Sequence, residues 1–265
     1  MDRQRKNLTL QRTAGLRWAS TGLFLFVACA LPALGQATTS PSSQFQSVLA
    51  QAQSAMMGTS QPNSVALNGT FTSTEGTLQQ NGSAQLTVGS DGSYSINLSR
   101  SVGTVNESRT VSNGTPSCTW TDHNNVVHQS SFLNCLPPAW FFPNLTLLST
   151  ASSTTLPAWA PSAYSTDNLG NHLQFQFLVP LSDGQQEQPQ LLKPFDLVLA
   201  PVTSLPQYAI FTVHPDNPGQ HADIPIKIAY SNYQSVSGVM IPFHIQRSVN
   251  GNLVLDIAIN SEVVQ

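Results

Sequence analysis

The chain has 265 residues, of which 9% are charged, against ~25% in an average globular protein. Its formal net charge is −3 at pH 7, and Ser, Thr, Asn and Gln fill most of the polar positions. A protein that binds nucleic acid needs a basic surface, so this composition argues against that class of partner. The abundance of hydroxyl and amide side chains is typical of an exported β-protein.

The N-terminus has the pattern of an export signal over residues 1–35. An apolar run over residues 23–34 follows a basic segment and ends at Ala33-Leu34-Gly35, where small residues mark a cleavage site. This run is shorter than the ~20 residues that a membrane-spanning helix needs. The pattern predicts a cleaved signal peptide and a secreted or periplasmic protein with no stable membrane span. The alternatives are an uncleaved N-terminal anchor and lipidation at Cys29.

Cleavage would change the charge balance. The signal segment holds five of the ten basic residues but one of the thirteen acidic residues. The remaining chain would carry five basic and twelve acidic residues, a net charge of −7 with neutral histidines. An anionic membrane surface is therefore disfavoured as an electrostatic partner.

One helix is predicted, after a flexible lead over residues 36–43. Apolar residues recur at three- and four-residue spacing over residues 44–57, with Ser43 as a candidate N-cap and Gly58 in a C-cap position. The members of this apolar stripe are Phe45, Val48, Leu49, Ala52, Ala55 and Met56.

After residue 58 the hydrophobic period changes to two, which is typical of strands with one buried face. Two hairpins stand out, one around Gly89-Ser90-Asp91-Gly92 and one around Asn250-Gly251. Roughly nine to eleven strands follow this pattern, without helix–strand alternation. The prediction is a mainly β protein: a single large curved antiparallel sheet or half-open barrel, forming one domain over residues 44–265.

A proline-rich apolar insertion over residues 136–161 interrupts the strands. A short helix is expected at residues 144–149. The insertion has two interpretations: its large side chains complete the core, or they line a pocket for an acyl chain or another apolar ligand. The candidate ligand-binding residues are Trp140, Phe141, Phe142, Leu145, Leu148 and Trp159.

Two cysteines lie before this insertion: Cys118 is 18 residues ahead of it, and Cys135 immediately precedes it. In an exported protein the default for such a pair is a disulfide. Closing this loop would stabilise the fold by roughly 3 kcal/mol through the unfolded state. Redox-active pairs favour closer spacing such as C-x-x-C, so the bond is predicted to be structural.

The element order and one segment near the C-terminus resemble the LolA/LolB superfamily of lipoprotein carriers and sorting proteins. The segment is YSNYQSVSGVMIP at residues 230–242, with an aromatic pair, a valine, a glycine and a strand ending in proline. The resemblance implies a half-open β-barrel and a lipid acyl chain or lipoprotein as partner. No ligand-binding residue is carried over from it.

Signatures of catalysis are weak. The sequence contains no G-x-S-x-G elbow, phosphate loop or dinucleotide fingerprint, so no catalytic residue and no cofactor is predicted. Asp122-His123 with His128 is interpreted as a turn rather than a metal or acid–base site, because the spacing supplies no third ligand. The loop containing His214 and His221 is also interpreted as a turn.

The sequence therefore favours an exported, non-catalytic protein that binds a lipid or lipidated partner in the cell envelope. The alternatives are a structural or interaction β-domain of the cell surface without a ligand cavity, and a secreted hydrolase. Two facing carboxylates in a cleft, or a Ser–His pair within hydrogen-bond reach, would favour the hydrolase. The sequence does not determine the oligomeric state.

Overall fold

The computed structural model describes residues 41–112, 115–122, 124–137, 139–142, 159–177, 179–180, 186–187, 194–215 and 222–265. Several sequence predictions lie outside the described residues: the signal peptide, the first part of the flexible lead, the helix at residues 144–149, Cys29, His123, Leu145, Leu148 and His221.

The described chain forms two helices and fifteen strands. The helices are α1 (Pro41–Met57) and α2 (Phe132–Cys135). The first eight strands are β1 (Ser64–Glu75), β2 (Leu78–Gly89), β3 (Tyr94–Arg100), β4 (Gly103–Ser112), β5 (Thr115–Thr121), β6 (Val127–Gln129), β7 (Trp159–Thr166) and β8 (Asn171–Phe177). The others are β9 (Val179–Pro180), β10 (Gln186–Glu187), β11 (Phe195–Leu199), β12 (Pro206–Val213), β13 (Ile224–Val236), β14 (Val239–Val249) and β15 (Asn252–Val264).

Helix α1 is the predicted amphipathic helix. It begins at Pro41, ahead of the expected residue 44, because proline is well suited to the first helical position. Gly58 ends it with φ of 54°, and its N–H donates to the carbonyl of Ser54 at 3.0 Å. Phe45 and Met56 are among the buried residues of its apolar stripe. Of the helices in the described chain, none has the length and apolar character that crossing a membrane demands.

Thirteen of the described strands form one antiparallel sheet, in the order β6-β5-β4-β3-β2-β1-β15-β14-β13-β12-β11-β8-β7. β9 and β10 pair separately. The last strand returns to the first, with Val65 opposite Val264. The mainly β class, the single sheet and the N-terminal helix are thereby confirmed. The sheet is not closed, and β6 and β7 form its edges within the described chain.

Both predicted hairpins are present. Val88 pairs with Tyr94 across the first turn, where the Asp91 carboxylate accepts the N–H of Ser93 at 2.9 Å. In the second, Asn250 and Gly251 have φ of 50° and 79°. Positive φ at both central residues matches the twist of the flanking strands, which explains why Asn-Gly marks this turn so clearly.

Strong curvature gives the sheet a concave face. β4 and β14 are five strand spacings apart in the sheet order, which would be ~24 Å in a flat sheet. The side chains of Glu107 on β4 and Arg247 on β14 nevertheless approach to 3.7 Å. Helix α1 lies against β7, β8 and β14, with the rings of Phe45 and Phe175 at 5.2 Å. The hydrophobic core therefore fills the concave face.

Candidate functional site

Residues 130–137 and 139–142 cross the concave face, and we call them the crossing segment. At one end, the Asn134 side chain exchanges two hydrogen bonds with the backbone of His214, after β12, at 2.6 and 2.9 Å. Further along, the hydroxyl of Tyr230 on β13 donates to the carbonyl of Trp140. The segment is thus attached to strands on the far side of the sheet from β5.

Near Cys135, a disulfide and a hydrogen bond also attach the crossing segment to β4 and β5. The predicted disulfide is present between Cys118 and Cys135, whose Cα atoms are 5.5 Å apart. Beside it, the buried Arg109 donates from Nε to the carbonyl of Cys135 at 3.0 Å and from Nη1 to the carbonyl of Gly92. Burial lowers the pKa of Arg109 because it removes water from the charged guanidinium group.

A pocket of about 280 Å³ lies between the crossing segment and the concave face. Its volume is near the lower end of the ~300–1,000 Å³ that small-molecule sites usually have. Most of its wall is apolar, and strands that are distant in the sheet order contribute to it. The main wall residues are Tyr94, Val105, Trp120, Pro137, Trp140, Phe211 and Val213.

Four of the lining side chains form a polar cluster. Glu107 Oε1 accepts the hydroxyl of Tyr94 at 2.9 Å and the indole N–H of Trp140 at 3.2 Å. Arg247 lies 3.7 Å from Glu107 Oε2, and its guanidinium carbon is 5.2 Å from the centre of the Trp140 ring. Burial, reinforced by the Glu107 charge, raises the pKa of Tyr94 well above its ordinary value, so Tyr94 stays a hydrogen-bond donor.

The insertion residues divide between this pocket and the core. All three aromatic residues belong to the buried core, and Trp140, which is 4% exposed, also lines the pocket, whereas Phe141 and Phe142 do not. The Phe141 ring contacts those of Tyr94 and Trp140 edge-on, at 5.9 and 5.7 Å. Trp159 opens β7, where its backbone pairs with Phe177.

A second cleft, of about 560 Å³, lies where α1 ends and β1 begins. Its lining residues are Gln53, Ser54, Met57, Gly58, Thr59, Ser60, Gln61, Pro62, Asn63 and Ser90. This wall carries neither a charged nor an aromatic side chain. It offers fewer means of recognising a ligand than the pocket under the crossing segment.

A Ser–His–Asp arrangement lies on the solvent face of the sheet. Ser231 Oγ is 3.1 Å from His244 Nδ1, and His244 Nε2 is 2.9 Å from Asp256 Oδ1. Catalytic triads work in sites that exclude water and hold hydrogen-bond donors in position for the oxyanion of the transition state. Here Ser231 is exposed, and the side chains of His244 and Asp256 are 36% and 33% exposed. The turn at Ser237-Gly238 fixes the register, so the hairpin pattern alone could have placed Ser231 opposite His244.

Another histidine is held between two carboxylates on the outer face. His172 Nδ1 is 2.7 Å from Asp196 Oδ2, and its Nε2 is 3.0 Å from Asp167 Oδ1. Burial opposes the imidazolium charge, but the two carboxylates outweigh it and raise the pKa of His172 above 6.5. His128 instead stacks on Trp120, with ring centres 4.1 Å apart. Among the described residues, no group of three or more His, Cys, Asp or Glu side chains could hold a metal ion.

Comparisons with known proteins give similarity of fold alone. No protein-family model matches the chain, and no curated protein matches its sequence. Structures similar to it include a DUF1329 family protein from Desulfovibrio piger, at 10% identity and TM-score 0.49, covering 85% of this chain and 93% of that one. A LolA superfamily protein from Nitrosomonas europaea matches at 10% identity and TM-score 0.47, covering 83% and 93%.

An outer membrane lipoprotein-sorting protein domain from Vibrio parahaemolyticus matches at 11% identity and TM-score 0.42, covering 84% of this chain and 93% of that one. The superfamily that residues 230–242 resemble is therefore also the one named by matched structures. At these identities and TM-scores we take no ligand, partner or residue role from the matches. What the chain binds has to be argued from its own pocket.

Proposed function

We propose that this protein is an exported, non-catalytic binding protein that holds one acyl chain of a lipid or lipidated partner in the pocket under the crossing segment. The observation that carries the proposal is the pocket itself, about 280 Å³ with mostly apolar walls on the concave face. That volume suits a single chain rather than the several chains of a whole lipid. The Cys118–Cys135 disulfide supports export, since such bonds persist in oxidising compartments.

The unfilled space of the pocket supports a binding role over a role in core completion alone. Phe141 and Phe142 fill the core, and Trp140 joins them there but also borders an unfilled pocket of about 280 Å³. A β-domain that served only as a structural or interaction module would have no use for this space, and filling it would be more stable.

Tryptophan fluorescence gives a direct test, because Trp120 and Trp140 line the pocket. Bromodecanol, a neutral chain carrying a heavy-atom quencher, is titrated into protein purified from cells that express the full chain. The Val105→Trp variant places a large ring in the pocket, and Thr110→Trp is the matched control on the exposed face of the same strand, β4.

Each methylene kept out of the pocket is worth ~0.8 kcal/mol, so excluding two weakens binding about tenfold. We expect this loss for Val105→Trp and unchanged affinity for Thr110→Trp. Absence of saturable quenching in the wild-type protein would refute the proposed function, as would equal affinities for the two variants.

A secreted hydrolase is the second candidate, favoured by the distances within the Ser231–His244–Asp256 arrangement. A fluorophosphonate probe reacts with an activated serine, so it distinguishes the two functions. If the arrangement is only a polar ladder between strands, the wild-type protein stays unlabelled and matches Ser231→Ala. Labelling of the wild-type protein that Ser231→Ala abolishes would establish the hydrolase.

A further inference from the structure

The polar cluster in the pocket leaves an arginine with unused donors. Arg247 Nη1 is 3.7 Å from Glu107 Oε2, beyond the 2.7–3.2 Å of a hydrogen bond. Its Nε is buried and has no hydrogen-bond acceptor among the residues that the structure describes. A guanidinium group has five N–H donors in a rigid fork that matches an oxyanion. Arg247 therefore faces the pocket incompletely paired.

The Glu107 carboxylate, unlike Arg247, already has hydrogen-bond partners in the described chain. Its Oε1 accepts from two neutral donors, Tyr94 and Trp140, so the carboxylate does not depend on Arg247 for hydrogen bonds. A ligand that approaches Arg247 need not break those two bonds. The carboxylate holds Trp140 in place while the arginine remains available.

The local charges at this end of the pocket are balanced. Arg109 and Arg247 both act electrostatically on Tyr94 together with the carboxylate of Glu107, and the Asp91 carboxylate acts on Arg109. A negative ligand would therefore be held by the unused N–H donors of Arg247 and not by a surplus of positive charge. The Trp140 ring lies against Arg247 at 5.2 Å, which restricts the guanidinium group and reduces the entropy lost on binding.

We propose that the pocket recognises an amphipathic ligand with an oxyanion head, a carboxylate or a phosphate, which Arg247 binds while the chain lies along the apolar wall. This inference rests on the proposed function and adds the ligand class. The carboxylate of a fatty acid and the phosphate of a lipid head group share the required chemistry. The Nη N–H groups of Arg247 would bond the oxyanion in a forked geometry.

The test compares ligands with the same ten-carbon chain: decanoate, decyl phosphate, decanol and decyltrimethylammonium. Binding is measured by calorimetry to wild type, Arg247→Met and Lys227→Met. Lys227 is the matched control, since it is an exposed cation on the neighbouring strand β13 whose side chain packs over Tyr208 on the outer face. Both substitutions remove one positive charge, but only one of them lies at the pocket.

We expect wild type and Lys227→Met to bind the two anions at least about tenfold more tightly than decanol, as a charge-assisted hydrogen bond allows. Arg247→Met should lose the preference for anions, so that its affinities for decanoate, decyl phosphate and decanol lie within about threefold of one another. Tighter binding of decanoate than of decyl phosphate would identify a fatty acid as the source, and the reverse would identify a lipid phosphate.

Equal affinity of wild type for decanol and both anions would overturn the inference while leaving the proposed function intact. Tighter binding of decyltrimethylammonium would overturn it too. Failure of all four ligands to bind would instead overturn the proposed function. Glu107→Gln gives a second variant in case Arg247→Met does not fold. Its amide oxygen can still accept from Tyr94 and Trp140, so it should tighten decanoate binding several-fold, and unchanged or weaker binding would overturn the inference.

Discussion

Replacing Cys118 and Cys135 by serine removes the disulfide of the crossing segment but leaves the hydrogen bond from Arg109 to the carbonyl of residue 135. The two residues are 17 positions apart, so the bond is worth about 3 kcal/mol through the entropy of the unfolded chain. For a folded domain of this size, each kcal/mol corresponds to a change in melting temperature of about 2–4 °C. The double variant should therefore melt about 6–12 °C below the wild-type protein.

The pocket should survive this change. The carbonyl of Cys135 still accepts from Arg109 at 3.0 Å, and Asn134 and Tyr230 still hold the segment at other points. We therefore expect bromodecanol affinity to remain within about threefold of the wild-type value. Adding Arg109→Met to the double variant should detach residue 135 from β4 and β5, and the combined loss of stability should exceed the sum of the separate losses because the two attachments share that residue.

Differential scanning calorimetry measures the melting temperature, and tryptophan quenching measures the pocket. Non-reducing mass spectrometry of the wild-type protein first confirms the bond by its mass. Two free thiols at Cys118 and Cys135 would refute the prediction at that stage. Unchanged melting of the serine variant would show that the bond adds nothing, and complete loss of quenching would show that the remaining hydrogen bonds do not hold the segment.

Three further substitutions test the core, the outer face and a turn. Phe141→Ala should lower the free energy of unfolding by about 3–5 kcal/mol in urea titration, whereas Val202→Ala, at an exposed site, should stay within about 0.5 kcal/mol. Because the pKa of His172 is raised in the folded protein, its imidazolium stabilises the fold fully below pH 6.5, and this contribution is lost as the pH rises through the raised pKa. The urea midpoint of the wild-type protein should therefore be lower above this pKa than below pH 6.5, and this difference should disappear in His172→Gln. Gly251→Ala, where φ is 79° and no atom lies within 4 Å of the added Cβ, should cost about 1 kcal/mol through backbone strain alone, and a neutral melting temperature would contradict this.

Local patterns predicted the elements of this fold because each depends on residues close in sequence. The apolar stripe predicted helix α1, and Gly58 predicted where the helix ends. Asn250-Gly251 predicted a two-residue hairpin turn, since only residues that tolerate positive φ fit there. The start of α1 was misplaced because Ser43 is a good N-cap in sequence, yet Pro41 opens the helix. The strand count was too low, since the short strands carry too few residues to show alternation.

The pocket could not be predicted in the same way. Glu107 and Arg247 are 140 positions apart in sequence, and only the curvature of the sheet brings them together. Curvature depends on twist accumulated over many strands and on what fills the concave face, so no short segment encodes it. Of the candidate residues in the apolar insertion, Trp140 lines the pocket. The sequence left open whether the large side chains of the insertion complete the core or line a pocket; Phe141 and Phe142 lie in the core, and Trp140 contributes to both.

The scarcity of charge makes the polar cluster informative. After the first 35 residues, the sequence contains five basic residues. Two of these, Arg109 and Arg247, lie close to Tyr94, and Arg247 lines the pocket beside Glu107. Arg109 is used to hold the crossing segment, whereas Arg247 retains a buried N–H without an acceptor in the described chain. Placing an incompletely paired guanidinium group beside apolar walls costs stability, and binding of an oxyanion would recover it.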